Sequence, residues 1–413
     1  MSRPKNKIIN DPIYGFITIP FDIIWQLIEH PLFQRLRRIS QLGLSSLVYP
    51  GANHNRFHHA IGAMHLMNCA IQTLKSKDIQ ISTEEHKASL IAILLHDIGH
   101  GPFSHALETT IVNNISHEEI SLLFMQELND QFTGKLSLAI DIFKKKYKKK
   151  FLCQLVSSQL DVDRLDYLNR DSFYSGVNEG IINCERIITM LNVYNNELVV
   201  DYKGIHSIEK FIIARKLMYW QVYLHKTVLS AEHTLMGVLK RAKELTRAGR
   251  KIFTTKSFSV FLNEKHEIDL NFFKKNNLIH AFSLLDDIDI LSAIKEWCHE
   301  DDKVLSLLSN KIIKRELLKI TYTEKPSMQT KLISLREKAM RHLNINQEDV
   351  NFLVFPLKIK KETYNFIDDE IILLQKNNST IKLSEIKNTF HINSRNSKII
   401  KHYICYPKEC LID

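Results

Sequence analysis

The part of the chain richest in metal-binding side chains reads Leu94-Leu95-His96-Asp97-Ile98-Gly99-His100-Gly101-Pro102-Phe103-Ser104-His105. It follows the apolar segment 88–95, which is typical of a buried helix. If that helix continued, His96 and His100 would share one face, because residues four apart are neighbours on a helix. Asp97 can turn toward the same point, and divalent metals bind imidazole together with carboxylate. A helix end that is merely rich in histidine is the alternative, but the density of ligands favours a metal site.

The composition is that of a globular protein with one large domain and an appended lobe, or with two domains. Of 413 residues, 44% are hydrophobic and 25% charged, and only 12 are glycine and 9 proline, which favours long helices. We find no apolar run long enough to span a membrane, and the basic N-terminus lacks the apolar segment of a secretory signal. The six scattered cysteines form no CxxC pair, and they predict reduced thiols in a cytoplasmic protein.

The formal net charge of +10 is concentrated in part at Lys144-Lys145-Lys146-Tyr147-Lys148-Lys149-Lys150. One interpretation is a solvated surface segment. The other is an anion-binding patch for nucleotides or nucleic acid. The sequence leaves both open.

Hydrophobic periodicity predicts a mainly α protein with small β-hairpins near residues 7–20 and 191–202. A long amphipathic helix is expected from about 208 to 247, broken once. Short strand-like segments appear after about residue 324, so we expect a helical domain over 1–323. A mixed α+β C-terminal lobe then covers 324–413.

Four residues from three segments form the predicted metal shell: His59, His96, Asp97 and Asp163. Taken singly, each could be an ordinary polar residue. Two imidazoles and two carboxylates together balance a divalent cation and leave positions for water and a phosphate oxygen. Such a mixed shell suits Fe, Mn, Zn or Mg without choosing among them.

Phosphate binding requires cations near this shell. Arg56 lies three residues before His59, and Arg164 follows Asp163, so both are candidates for binding phosphate. Arg215 and Lys226 lie on the long helix, and for Lys226 a surface charge is the better interpretation.

Proton transfer requires a further group, and His105, Glu108 and His117 remain outside the metal shell. Histidine titrates near neutral pH, which suits proton delivery to a leaving oxygen. His105 and Glu108 would be neighbours if a helix resumes there. The alternative is a pair of polar residues on a helix surface.

The order of these motifs resembles that of the HD-domain phosphohydrolases, and more specifically the deoxynucleoside triphosphate triphosphohydrolases. The resemblance extends over about residues 7–240 and rests on three stretches: 51–59 (GANHNRFHH), 96–105 (HDIGHGPFSH) and 161–167 (DVDRLDY). It implies a helical fold, and it implies that His59, His96, Asp97 and Asp163 bind the metal.

The resemblance also implies roles for residues around the metal. Arg56, Arg164 and Arg215 would bind phosphates, with arginine at 164 where the family has lysine. The proton relay would consist of His105, Glu108 and His117, with His100 as a further catalytic candidate and glutamate at 108 where the family has aspartate. The sugar pocket would be lined by Gln41, Leu42, Asp171 and Tyr223, with Tyr167 stacking nearby.

An effector site between subunits is the last implication of the resemblance. Lys7, Asn10, Gln34 and Arg37 match its positions, and Glu29 stands where the family has an aspartate that reads guanine. We therefore expect a homo-oligomer, a dimer or a tetramer, that an effector nucleotide tightens.

The expected function is hydrolysis of dNTPs to deoxynucleoside and triphosphate, with a divalent transition metal (Fe, Mn or Zn) and Mg accompanying the nucleotide. One alternative is an HD phosphohydrolase of another phosphoester, such as a nucleoside monophosphate or a cyclic nucleotide. A metal-bearing nucleic-acid-binding module is the other. The metal shell disfavours it, because binding alone needs no open metal position.

Overall fold

The computed structural model describes residues 7–112, 115–362, 370–386 and 398–411, which form eighteen α-helices and nine β-strands and confirm the mainly α prediction. The helices are α1 (Asp22–Glu29), α2 (Pro31–Gln34), α3 (Arg56–Ser76), α4 (Thr83–Leu95), α5 (Ser104–Thr110), α6 (His117–Gln131), α7 (Ser137–Phe143), α8 (Lys150–Val156), α9 (Val162–Ser175), α10 (Cys184–Met190), α11 (Ile205–Met218), α12 (Lys226–Arg247), α13 (Lys256–Leu262), α14 (Leu270–Lys275), α15 (Leu278–Ser283), α16 (Asp287–Trp297), α17 (Lys303–Ile313) and α18 (Lys325–Leu343).

Three small sheets accompany the helices. The strands are β1 (Lys7–Asp11), β2 (Gly15–Ile19), β3 (Leu191–Tyr194), β4 (Glu197–Asp201), β5 (Lys319–Tyr322), β6 (Phe355–Glu362), β7 (Ile372–Leu374), β8 (Thr380–Lys382) and β9 (Lys398–Tyr406). Both predicted hairpins form, as β1–β2 and β3–β4. The C-terminal strands divide between two sheets, in the orders β3-β4-β7-β8 and β5-β9-β6. The predicted domain boundary between residues 323 and 324 lies just after β5. The strand that pairs with β5, β9, lies on the other side of that boundary.

Helix α4 is buried on nearly all sides, which explains its continuous apolar sequence. It begins at a capping box formed by Ser82 and Glu85 and ends at Leu95. A turn follows, so His96 and His100 do not share a helix face as a continuing helix would require. The turn packs closely against α6: a Cβ atom at Gly99 would lie 2.2 Å from the backbone nitrogen of Ser121. A side chain there would force the two segments apart.

The periodicity of residues 155–171 predicts one helical segment, but the structure divides it between two helices, α8 and α9. Asp161 separates them, because its carboxylate accepts a hydrogen bond from the backbone N–H of Arg164 and caps α9. The break expected in the long helix lies between α11 and α12, at the π-helix Tyr219–Tyr223. Single π-helical turns are frequent at functional sites.

The periodicity of residues 31–39 predicts one helix with its apolar residues on one face and its arginines on the other, and the structure differs from this prediction after α2. Residues Arg35–Arg38 form a 3₁₀ helix, and Arg35 is only 1% exposed. Its guanidinium donates hydrogen bonds to the carbonyl oxygens of Leu285, Ile98 and His100, at 2.8, 3.2 and 2.7 Å. Arg35 thus joins the His96–His100 turn to the segment before α16.

We expect the Arg35→Met substitution to lower the free energy of unfolding by about 3–5 kcal/mol, because it leaves three buried carbonyl oxygens without donors. Arg37→Met is the matched control, since Arg37 is exposed and its loss should cost less than about 1 kcal/mol. Urea titration followed by circular dichroism measures both. Equal midpoints for the two variants would contradict the role given to Arg35.

The six cysteines are all free thiols, as the sequence predicts. Among the described helices, none combines the length and apolar character that a membrane crossing requires.

Candidate metal centre

Three helices bring the four predicted metal ligands together. His59 lies in the first turns of α3, His96 and Asp97 follow the end of α4, and Asp163 lies in the first turn of α9. The Asp163 Oδ1 atom is 3.1 Å from His59 Nε2 and 3.5 Å from His96 Nε2. Asp97 approaches the same imidazoles at 3.8 and 3.3 Å. Four side chains separated by up to 104 positions in sequence therefore converge on one point.

The two imidazoles are oriented as metal ligands are. Their Nε2 atoms are buried and make no hydrogen bond. Their Nδ1 atoms are held from behind, at 2.8 Å from Asp166 Oδ2 for His59 and 2.6 Å from the carbonyl oxygen of Ile93 for His96. Such contacts fix the ring and leave the other nitrogen for a metal. With Asp163, all three ligand atoms lie within 4.8 Å of one another, which fits a divalent ion.

The electrostatics of the cluster also favour a cation. Burial lowers the pKa of His59, but the adjacent carboxylates of Asp163 and Asp166 outweigh burial and raise the pKa to about 10. Burial raises the pKa of Asp163, but the adjacent imidazoles of His59 and His96 hold that pKa far below its ordinary range. The carboxylates therefore attract positive charge, and a divalent ion would compete with protons for the imidazoles. Asp163 is more accessible to solvent than His59, because 27% of the Asp163 side chain is exposed and only 1% of the His59 side chain.

The three arginines proposed to bind phosphate share one feature, which is a buried Nε atom without a hydrogen-bond partner in the described structure. Arg56 Nη1 lies 2.6 Å from Asp97 Oδ2, so this arginine already contacts a candidate ligand. Arg164 pairs with Asp161, and Arg215 Nη1 donates to Gln159 Oε1 at 3.1 Å. Each guanidinium is thus held by a neighbour and keeps an unused donor. Lys226, in contrast, is exposed at the start of α12.

Two of the predicted catalytic histidines stack beside the metal cluster. The rings of His100 and His117 are 3.8 Å apart and nearly parallel. Glu108 lies 3.2 Å from His117 Nδ1, and His100 Nε2 lies 3.3 Å from Asp97 Oδ1. Burial, together with the charge of Arg56, lowers the pKa of His100 well below its ordinary value, so its ring is neutral near pH 7. A chain of titratable groups therefore leads from Asp97 to Glu108.

His105 lies in α5, the helix that the proton-relay prediction required, but its side chain falls outside the described residues. Its predicted role stays a prediction.

Asp97, His100 and His117 form a second group whose ligand atoms lie close enough to hold an ion.

The predicted sugar-pocket residues form a separate hydrogen-bonded cluster. The Tyr223 hydroxyl donates to Asp171 Oδ2 at 2.8 Å, and the Tyr167 ring lies 6.3 Å from that of Tyr223. Asp163, Tyr167 and Asp171 are four residues apart on α9 and lie on one stripe of the helix. The stripe connects the metal cluster to the sugar cluster.

Gln41 and Leu42 lie in the loop before the 3₁₀ helix Gly43–Leu47, and both are half-buried. The Gln41 backbone N–H donates to the carbonyl oxygen of His54 at 3.0 Å, and His54 Nε2 contacts Asp171 Oδ1 at 2.8 Å. The loop is therefore connected to Asp171 through His54.

The predicted effector residues lie at the surface, in two small groups. Arg37 stacks on Phe57 at 3.6 Å and donates to Gln34 Oε1 at 2.7 Å. Lys7 lies 4.9 Å from the ring of Trp25, and Asn10 is exposed on β1. Their role as an effector site stays a prediction.

Sequence reasoning gave no role to two residues that the fold places at the site. Asp166 orients His59 and also forms an ion pair with Arg170, four residues later. His54 contacts Asp171, although it lies within the GANHNRFHH motif. The i, i+4 spacing of Asp166 and Arg170 was a signal for pairing, but nothing local indicated His59 as a partner.

A cavity of about 440 Å³ opens beside the metal cluster. Its wall consists of metal-cluster, relay and α6–α8 residues: His96, Asp97, His117, Glu118, Glu119, Leu122, Phe143, Lys144, Lys145, Val156, Ser157, Asp161, Asp163 and Arg164. A phosphate-bearing ligand in this cavity would touch candidate metal ligands and cations together.

Two family models match the chain: the HD domain over residues 56–170, and the HD associated region over residues 182–253. The first match begins at Arg56 and ends at Arg170, so it contains every candidate metal ligand.

Known proteins resemble the chain over longer stretches. A phosphohydrolase from Bacteroides thetaiotaomicron of known crystal structure is 47% identical, with a TM-score of 0.94 over 98% of this chain and 100% of its own. The uncharacterized protein YwfO of Bacillus subtilis is 35% identical over 76% of this chain and 71% of its own length. The deoxynucleoside triphosphate triphosphohydrolase SAMHD1 homolog of Dictyostelium discoideum is 30% identical over 62% of this chain. The match spans about half, 53%, of that relative.

Proposed function

The chain belongs to the HD-domain phosphohydrolase family, and we propose that it hydrolyses dNTPs to deoxynucleoside and inorganic triphosphate. One observation carries the proposal: α9 presents the candidate ligand Asp163 and the sugar-cluster residue Asp171 on the same stripe, with Tyr167 between them. A nucleotide lying along α9 would place its phosphates at the metal cluster and its sugar at Asp171 and Tyr223. The SAMHD1 homolog of Dictyostelium, a deoxynucleoside triphosphate triphosphohydrolase by name, supports this substrate class.

His59, His96, Asp97 and Asp163 would hold the metal, for which Fe, Mn and Zn are the candidates. A divalent ion bound there supplies Lewis acidity toward a phosphate oxygen and makes an attacking water more acidic. Asp166 and the Ile93 carbonyl keep the two imidazoles in place. The unused Nε donors of Arg56, Arg164 and Arg215 would stabilise charge on the phosphates.

Proton delivery falls to the stacked histidines in this proposal. The leaving deoxynucleoside needs a proton on its 5′ oxygen when the bond to phosphorus breaks. His117, with Glu108 at 3.2 Å from its Nδ1, would hold that proton. His100 stays neutral and buried between His117 and Asp97.

The reaction products test the proposal. The metal-loaded protein, with Mn or Mg in the buffer, is incubated with each of the four dNTPs, and the products are separated by anion exchange. Deoxynucleoside and intact triphosphate are expected. Release of pyrophosphate and a deoxynucleoside monophosphate would show that the bond between the α- and β-phosphates is cleaved instead. Turnover only of cyclic nucleotides or monophosphates would favour hydrolysis of another phosphoester.

Sugar selection should depend on the Tyr223 ring, which would crowd a ribose 2′-OH while Asp171 accepts a hydrogen bond from the 3′-OH. We expect dATP to be preferred over ATP, and Tyr223→Ala to narrow the ratio of kcat/KM values by about tenfold, since such contacts contribute about 1–3 kcal/mol. Tyr223→Phe is the control, because it keeps the ring and removes the hydrogen bond to Asp171. A ratio unchanged by Tyr223→Ala would remove Tyr223 from sugar selection.

Assembly and regulation form a further part of the proposal. Lys7, Asn10, Gln34 and Arg37 would bind an effector nucleotide between subunits of a dimer or tetramer, because lysine and arginine donate charge-assisted hydrogen bonds to phosphates. Light scattering with and without dNTP measures the assembly. The six free cysteines favour a reducing compartment, and we propose the cytoplasm.

A further inference from the structure

The lysine run at 144–150 is divided by the fold into two parts with different surroundings. Lys149 Nζ lies 2.8 Å from Glu85 Oε2, and Lys150 Nζ lies 3.0 Å from Glu197 Oε1. These two lysines attach the start of α8 to α4 and β4. Lys144 and Lys145, at the end of α7, lie instead on the wall of the 440 Å³ cavity beside the metal cluster. The charge run is therefore not one uniform surface patch.

The turn that carries Lys144 and Lys145 has a defined backbone. The N–H of Lys145 donates to the carbonyl oxygen of Ile142, and that of Lys146 donates to Asp141. Lys145 has φ +57°, in the left-handed region where glycine is favoured. A lysine at this position costs conformational energy that a glycine would avoid. The shape of the turn therefore does not require the positive charge that Lys145 carries.

The charge balance of the cavity explains what these cations could do. A metal shell of two imidazoles and two carboxylates neutralises a divalent ion, whereas a triphosphate carries about four negative charges. Arg164 is partly neutralised by Asp161, and Arg56 by Asp97. Lys144 and Lys145 make no ion pair among the described residues, and they are exposed. Glu118 adds one negative charge to the wall, while Glu119 is engaged in the capping box of α6.

We propose that Lys144 and Lys145 form a subsite for the distal phosphates of a polyphosphate, either those of the bound nucleotide or the inorganic triphosphate that is released. The subsite deepens the proposed function and rests on it for the identity of the substrate. Because the cavity extends from Asp163 and His96 to the two lysines, one polyphosphate chain would contact the metal at one end and the ammonium groups at the other. The subsite would favour triphosphates over shorter phosphoesters.

Direct binding of inorganic triphosphate tests this subsite without relying on nucleotide hydrolysis. Titration calorimetry on the metal-loaded protein compares Lys144→Gln/Lys145→Gln with the native chain. We expect the Kd for triphosphate to rise about tenfold, because two exposed charge contacts are lost and each of them is individually weak. The Kd for inorganic monophosphate should change less, because a single phosphate at the metal does not reach the lysines. Lys144→Arg/Lys145→Arg should retain the native affinity.

Lys146→Gln/Lys148→Gln is the matched control. It removes the same charge from the same run, but neither lysine lies on the cavity wall, and we expect less than about a twofold change in Kd. Equal weakening by both double variants, or none by the first, would overturn the subsite. Weaker binding of a single-stranded oligonucleotide with unchanged triphosphate affinity would also overturn it. Lysine-dependent triphosphate binding without dNTP turnover would support the subsite and reject the proposed substrate.

Discussion

The His96→Ala protein is expected to purify without metal and without hydrolytic activity, while keeping its helical fold. The buried Nε2 atom of His96 makes no hydrogen bond, so removing the side chain takes away only the contact of its Nδ1 atom with the Ile93 carbonyl oxygen. Replacing a residue that only orients a metal ligand already lowers metal affinity or activity about 10- to 100-fold. The loss of a direct ligand should exceed that range.

Elemental analysis and circular dichroism measure metal and fold in this variant. His58→Ala is the matched control, because His58 neighbours His59 on α3 and belongs to neither group of candidate ligands. We expect the control to bind metal as the native protein does. A His96→Ala protein with native metal content would remove His96 from the ligand set, and full activity in Asp97→Ala would reject the assignment of the metal centre.

The second large effect is expected from His117→Gln, which should lower kcat by about 10²- to 10⁴-fold while leaving the metal bound. His117 lies 3.2 Å from Glu108 and stacks on His100, so it is the described histidine best placed to protonate a leaving group. Glutamine keeps a comparable size and hydrogen-bonding capacity but cannot transfer a proton near neutral pH.

The nature of the leaving group separates proton delivery from a structural effect. A p-nitrophenyl phosphodiester expels a weakly basic phenolate, which needs little protonation, so His117→Gln should impair its hydrolysis much less than that of dNTPs. Glu108→Gln should also lower the rate of dNTP hydrolysis more than that of the phosphodiester. The double variant should hydrolyse dNTPs only slightly more slowly than His117→Gln, because the two groups act together. An equal loss on both substrates would indicate that His117 positions the site and does not supply the proton.

The sequence alone was sufficient for the fold class and the family. Helical periodicity and the two hairpin patterns are local features, and the elements that they predict are present. The family resemblance rested on short motifs whose residues are adjacent in the chain, and the HD domain match over residues 56–170 confirms it. The dNTP substrate and the individual site residues stay predictions.

The spacing of the clustered histidines did not show which of them lie together, and the tertiary structure did. A continuing helix would have placed His96 and His100 on one face, but α4 ends at Leu95, and the turn that follows packs against α6. His96 therefore joins His59 and Asp163, while His100 joins His117. Helical spacing cannot predict that the two histidines belong to different groups, because the grouping depends on where α4 ends and on how the following turn packs against neighbouring elements.

Contacts between distant segments also escaped the sequence, because they depend on packing and not on spacing. Arg35 was expected on a solvent face, yet it is buried against Leu285, a residue 250 positions later. Lys149 and Lys144 belong to one charge run, but α4 supplies Glu85 to the first, and the metal cavity borders the second. The sequence by itself indicated which side chains are candidates for binding metal and phosphate, and which helices carry them. The packing of α3, α4, α7 and α9 decided which of them meet, because a side chain reaches only a few ångströms from its own backbone.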